Sequence, residues 1–235
     1  MADDVEIVGD TVPAMEVELR APVSRPGKIV CLGLNYADHA EEGGYDVPEE
    51  PLLFAKATSA VIGPHDPIVY PRSVKQLDFE AELALVIGET ARHVERESAE
   101  RYLAGYTVFN DVSARDVQYG YSQFFRGKSF DTFAPLGPGL VTPDAVDVSK
   151  KNIRTLVNGT VKQSSSTAEM IFDVPRIIES VSHTMTLYPG DIIATGTPPG
   201  VGVHREPPEL LEPGDEVVVE IEDVGTIRNT VQMAE

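Results

Sequence analysis

The sequence predicts an α+β fold dominated by strands, and three observations carry that reading. Its apolar runs of strand length are not regularly alternated with helical patterns, which argues against a doubly wound parallel sheet. Asn158-Gly159 sits between 153–157 and 160–162, two short runs with strand character, and is a two-residue hairpin signal. Pro-Gly-Asp occurs at 189–191 and again at 213–215, each time launching an apolar run.

Taken in order, residues 1–22 are polar and read as an N-terminal arm, leaving 23–235 as one domain with no repeat, linker or low-complexity tract. Residues 28–32 read as a buried strand, and 38–42 as a helical turn ended by Gly43-Gly44. The glycine-bearing segment 43–48 has the composition of a mobile lid. Residues 78–87 alternate strictly and predict one continuous strand. Ser98 predicts the cap of a short helix to 104, followed by a strand over 106–112. Asp173 with Pro175 opens a helix whose Ile177, Ile178, Val181 and Met185 share one face. The chain closes on two strands, 216–221 and 226–231.

Composition narrows the function classes. Asp and Glu total 38 against 19 Lys plus Arg, a formal net charge of −19. Such a surface repels phosphate backbones and anionic lipid, so neither nucleic acid nor membrane is expected as a partner. No stretch approaches the ~20 apolar residues a membrane span needs. The acidic start lacks a signal peptide's apolar segment, and the single cysteine, Cys31, cannot form an internal disulfide; a cytoplasmic setting is expected. Only seven of the basic residues are Lys, and this acid-rich balance suggests adaptation to high salt, where screening lengths are short.

The candidate chemistry begins at 78–82. Alternation places Asp78, Glu80 and Glu82 on one face of the strand, where like charges repel unless the face is wet or a cation neutralises it. Both readings are open from this stretch alone. The continuation through Ala84 and Val86 turns the same face apolar, as on the floor of a pocket. Asp111 follows a strand and sits at its end. Three carboxylates form a hard oxygen set suited to Mg²⁺, Mn²⁺ or Ca²⁺, and no Cys/His cluster offers zinc an alternative. His39 and Glu42, three residues apart, share a helix face, so the carboxylate can orient the imidazole. Lys128, between a glycine and Ser129-Phe130, is a candidate to reach a developing anion. The segment 194–202 follows a strand and carries glycines and threonines able to approach a ligand closely. It lacks the ending of a nucleotide-binding P-loop.

Six segments in order, GLNYADHAEE (33–42), DFEAELALVIG (78–88), NDVSARDVQ (110–118), RGKSFDTFAPLGP (126–138), LVNG (156–159) and PGDIIATGTPPGVG (189–202), together resemble the fumarylacetoacetate hydrolase family. The resemblance implies a β-rich roll of mixed sheets with a few short helices, usually assembled as a homodimer. It implies that Glu80, Glu82 and Asp111 ligate Mg²⁺ or Mn²⁺, that His39 and Glu42 form a catalytic dyad on a lid, and that Lys128 is an active-site lysine. Arg115, Gln118 and Thr197 fall at positions that line the site or hold substrate carboxylate. The implied substrate is a small 2-oxo or 2,4-dioxo acid, processed through a metal-stabilised enolate. Hydrolytic C–C cleavage or decarboxylation is the expected outcome, with isomerisation as the alternative. Leu34 departs from the arginine of some acylpyruvate-cleaving members, which leaves the substrate open. A non-catalytic, metal-stabilised binding protein is the alternative of a different class.

Overall fold

A computed structural model describes residue 13 and residues 16–235; most of the expected N-terminal arm, 1–12 with 14 and 15, lies outside the described residues. Fourteen strands occur among them: β1 Ile29–Gly33, β2 Leu52–Lys56, β3 Val61–Ile62, β4 Ile68–Tyr70, β5 Leu77–Asp78, β6 Ala81–Ile87, β7 Leu103–Asn110, β8 Ser113–Ala114, β9 Ala134–Val141, β10 Asn152–Val157, β11 Thr160–Ser166, β12 Ile192–Ala194, β13 Glu216–Ile221 and β14 Gly225–Met233. Four α-helices join them: α1 Ala37–Gly43, α2 Arg115–Tyr119, α3 Phe125–Lys128 and α4 Val174–Thr184. This is the strand-dominated α+β fold the sequence predicts, with mixed sheets curling into a half-barrel.

The seven-stranded sheet runs β2-β1-β12-β6-β7-β9-β3, and the five-stranded sheet β11-β10-β13-β14-β4. β1 pairs parallel with β12 although about 160 residues separate them, with Ile29 opposite Ile192 and Cys31 opposite Ala194. That pairing brings the 194–202 loop beside the turn that leaves β1. β6 lies between β12 and β7, and every residue of it is buried. A strand covered on both faces normally reads as a continuous apolar run. Glu82 at its second position is therefore an exception that needs a compensating partner.

Several elements form as their residues dictate. The Asn158-Gly159 turn joins β10 to β11 with both residues at positive φ (51° and 77°), the backbone a type I′ hairpin requires. Asp173 caps α4 by accepting the Arg176 N–H at 3.0 Å, and Ile177, Ile178 and Val181 are fully buried. Gly190 and Gly214 take positive φ in the two Pro-Gly-Asp turns, ahead of β12 and β13.

Three expectations are corrected. The strand predicted over 78–87 is broken: β5 stops at Asp78 and β6 starts at Ala81, because the intervening backbone bonds to side chains. The Phe79 N–H donates to Asp78 Oδ1 and the Glu80 N–H to Asn110 Oδ1. The helix expected from Ser98 is a run of 3₁₀ turns over Arg96–Tyr102 that begins earlier, after Glu95. The Ser98 hydroxyl donates back to the Glu95 carbonyl at 3.1 Å and so caps nothing. The strand predicted over 106–112 starts at Leu103 and ends at Asn110, two residues short of Val112. No helix among the described residues is long and apolar enough to cross a membrane.

Candidate active site

Strand register explains why three distant carboxylates converge. In the β6–β7 pair Ala81 lies opposite Asn110 and Glu82 opposite Phe109, and the Asp111 N–H continues the ladder by donating to the Glu80 carbonyl at 2.9 Å. Residues opposite one another, and residues two apart on one strand, share a face. Glu80, Glu82 and Asp111 accordingly present one carboxylate oxygen each within 4.8 Å of the others, and all three are buried. Asp78, which the alternation placed with them, is drawn away. It accepts Arg115 Nε at 2.9 Å and the N–H groups of Gly202 and Val203 at 2.8 and 3.0 Å, tying down the loop after β12.

Cations enclose this cluster. Lys128, at the end of α3, places Nζ 2.8 Å from both Glu80 Oε2 and Asp111 Oδ2. Arg115, at the start of α2, reaches Glu80 Oε1 at 2.6 Å and donates to Gln118 Oε1 at 3.0 Å, the two residues being one helical turn apart. Lys56, from the end of β2, pairs with Asp111 Oδ1 and donates to the Val112 carbonyl at 3.1 Å. Burial opposes the charge of Glu80, but Lys128 and Arg115 overcome it and hold its pKa at about 2. Burial likewise works against Lys128, and Asp111 and Glu80 reverse it, raising its pKa. For Lys56 burial wins, and its pKa falls.

Glu82 is the member without a cation. Its Oε2 accepts the Gly196 N–H at 2.8 Å, while Oε1 is buried with no hydrogen-bond partner among the described residues. Burial, then Asp111 and Glu80, push its pKa well above the usual carboxylate range. Four carboxylates (Asp78, Glu80, Glu82, Asp111) lie among three cations (Lys56, Arg115, Lys128), so ionising Glu82 leaves one negative charge unbalanced, the charge its raised pKa disfavours. A bound cation would favour the ionised form of Glu82, and the all-oxygen donor set of Glu80, Glu82 and Asp111 suits a hard divalent ion. Gly196 is needed for the Glu82 contact: its φ is 91°, and a Cβ there would stand 2.9 Å from Asn35 Cβ.

A cavity of about 280 Å³ opens over this cluster. Its polar lining includes His39, Glu80, Arg115, Gln118, Lys128, Thr197 and His204, and its apolar wall includes Leu32, Leu34, Leu52, Phe54, Phe124 and Val201. His39 and Glu42 sit on α1 as the spacing predicts, Nδ1 to Oε2 at 3.0 Å. Thr197 is fixed by Gln163, whose Nε2 donates to its hydroxyl at 2.8 Å. A larger groove, about 730 Å³, runs over the outer sheet past Asn152, Arg154 and Glu220. It contains none of the candidate residues and no comparable convergence of buried charge.

The structure thus brings together all nine residues singled out from the sequence. It adds four that sequence reasoning missed: Lys56, Asn35, Gln163 and His204. Asn35 uses both ends of its amide across the fold, accepting the Phe172 N–H at 2.8 Å and donating to the Thr195 carbonyl at 2.7 Å. His204 stacks on His39 with ring centroids 5.6 Å apart. Lys56 ends the apolar run of β2 and Gln163 lies between Lys162 and Ser164 on β11; neither, nor His204, gives a local signal in the sequence.

Comparison with known proteins shows the family. Residues 28–232 match the family model described as fumarylacetoacetate (FAA) hydrolase C-terminal. The chain belongs to the fumarylacetoacetate hydrolase family. Among curated relatives, oxaloacetate tautomerase FAHD2A, mitochondrial, of Bos taurus is 52% identical over 222 residues, covering 93% of this chain and 71% of that one. Among solved structures, 5-carboxymethyl-2-hydroxymuconate delta-isomerase from Mycobacterium smegmatis superposes with a TM-score of 0.87 at 42% identity, over 97% of this chain and 87% of the other. Fumarylacetoacetate hydrolase from Exiguobacterium antarcticum gives 0.85 at 46% identity, over 92% and 78%. Members of this family are enzymes, and so is this chain.

Proposed function

We propose that the chain tautomerises oxaloacetate or a closely similar 2-oxo diacid, with Mg²⁺ or Mn²⁺ held by Glu80, Glu82 and Asp111. The observation that carries this reading is the placement of an oriented base, His39, on the wall of the same small cavity that exposes Glu80, Arg115 and Lys128. A keto–enol exchange needs a base, charge stabilisation at the 2-oxo oxygen and an anchor for carboxylate, and needs no attacking water. The name of the Bos taurus relative supports the reaction class, as does that of the mycobacterial isomerase.

An ion held by Glu80, Glu82 and Asp111 would supply Lewis-acid stabilisation of negative charge developing on the 2-oxo oxygen. The chain's own groups do the rest. Glu42 accepts from His39 Nδ1, which leaves Nε2 as the atom that takes the proton from C3. Lys128 offsets charge at the oxygen, and returning a proton there completes the exchange with no atom lost. Arg115 Nη2 is buried without a partner among the described residues, and so has an N–H left to donate to a substrate carboxylate. The apolar wall formed by Leu52, Phe54, Phe124 and Val201 keeps water from competing for these groups.

Hydrolytic cleavage of a 2,4-dioxo acid, or decarboxylation, is the second reading. Both use the same residues, and the name of the Exiguobacterium relative supports the hydrolysis. A metal-stabilised binding protein would have no use for an oriented His39–Glu42 dyad. The homodimer remains part of this proposal, with exposed Tyr119, Tyr121 and Phe125 as apolar surface that a second copy would cover.

The test is enol-to-keto conversion of oxaloacetate followed by ultraviolet absorbance with Mg²⁺ or Mn²⁺, beside pyruvate release from acylpyruvates and CO₂ release from oxaloacetate. Replacing His39 by Gln is expected to cut turnover ~10²-fold or more while sparing metal binding. Replacing Glu82 by Ala is expected to abolish both. Full activity in a metal-replete Glu82→Ala variant would overturn the ligand assignment.

A further inference from the structure

Beside the hard oxygen cluster lies a second donor set of different character. Glu42 Oε2 is 3.0 Å from His39 Nδ1 and 3.8 Å from His204 Nδ1, and one donor atom from each residue lies within 4.8 Å of the other two. The other oxygen of Glu42 is held by the Gly200 N–H at 2.9 Å, which keeps Oε2 turned toward the two imidazoles. At 3.8 Å the His204 contact is too long for a hydrogen bond, and His204 Nδ1 is buried with no hydrogen-bond partner among the described residues. Burial, then His39 and Arg115, lower the His204 pKa.

These distances suit one small tetrahedral ion. Donors ~2.0–2.2 Å from a tetrahedral zinc stand about 3.3–3.6 Å from one another, between the two separations observed. Two imidazoles and one carboxylate are a zinc donor set, whereas Mg²⁺ demands oxygen. The nearby Arg115 charge opposes a cation at this position, and the carboxylates of Glu42 and Asp78 act in the opposite direction.

We propose that His39, Glu42 and His204 form a second metal site, selective for Zn²⁺ over Mg²⁺, on the α1 side of the cavity. Zinc bound there captures the dyad, so it inhibits the Mg²⁺-loaded protein without displacing the first ion. The binding claim stands independently of the reaction proposed above; the inhibition claim rests on it.

The experiment is a Zn²⁺ titration of the full chain against a chromophoric chelator at pH 7.5, in millimolar Mg²⁺. Wild type is expected to bind one zinc that Mg²⁺ does not displace. Glu82→Gln retains that zinc, His204→Gln weakens it tenfold or more, and His204→Cys, which replaces one zinc ligand by another, restores tight binding; circular dichroism checks that each variant is folded. The site is overturned if wild type binds no zinc in excess Mg²⁺, or if folded His204→Gln binds it as tightly as wild type. In a parallel assay with the best substrate of the panel, zinc is expected to inhibit wild type at the concentration that fills the site. Full turnover with that site filled overturns the inhibition claim and leaves the site standing.

Discussion

Lys56 is a lysine buried along its whole length, and its ammonium is spent on Asp111 and a backbone carbonyl rather than on solvent. A charge so placed is expensive, and removing one partner of a buried pair leaves the other uncompensated. Lys56→Met is therefore expected to cost about 3–5 kcal/mol of stability, measured by urea denaturation in the absence of divalent ions. A loss below ~1 kcal/mol would mean that Lys128 alone satisfies Asp111. Divalent metal should recover part of the loss, because an ion on the carboxylates supplies the missing positive charge. Lys56 was invisible in the sequence. Its strand gives a lysine at the end of Leu-Leu-Phe-Ala, and nothing local indicates that the side chain turns toward a carboxylate 55 positions away.

At the scale of elements, the short helices α2 and α3 position three of the cavity's polar groups, Arg115, Gln118 and Lys128, through one close approach. A Cβ on Gly127 would stand 2.7 Å from the Gln118 backbone nitrogen and 2.8 Å from its Cα. Gly127→Ala must push the two helices apart, shifting Lys128 at the end of one and Gln118 on the other. The expected cost is about 1–3 kcal/mol, as for other overpacked sites, together with a fall in turnover; thermal melting and the oxaloacetate assay measure the two. An unchanged melting temperature would show that the helices have room to yield. Legibility also varied by element. The hairpin at Asn158-Gly159 and the cap at Asp173 were plain because turn and cap chemistry is complete within four residues. The break between β5 and β6 was not, since it arises when Asn110, thirty positions on, takes the Glu80 N–H from the ladder.

Over the whole molecule, charge is the property that most sets its response to solvent. A chain at −19 repels itself, and salt shortens the range of that repulsion from ~10 Å at 0.1 M to ~3 Å at 1 M. Surface ion pairs such as Arg176 with Glu50 weaken under the same screening, but exposed pairs contribute at most about 1 kcal/mol each. The melting temperature is therefore expected to rise between 0.1 and 2 M KCl. A fall would show that the ion pairs outweigh the repulsion and would remove the physical ground for reading the acidic surface as a high-salt adaptation.

The sequence by itself determined the strand-rich class, the hairpin, the cap on α4, the shared face of Glu80 and Glu82, and the His39–Glu42 pair. Each of these is set by a period or spacing of a few residues. Order of motifs then placed Asp111, Arg115, Gln118, Lys128 and Thr197 at one site, where the structure finds them. Only the tertiary structure decided that Asp78 serves the 200–204 loop instead of the carboxylate cluster, that Lys56 completes the charge balance, and that His204 faces Glu42. Those contacts cross 124, 55 and 162 positions of chain. They depend on the parallel pairing of β1 with β12 and on the β6–β7 register, and long-range pairing leaves no trace in local periodicity.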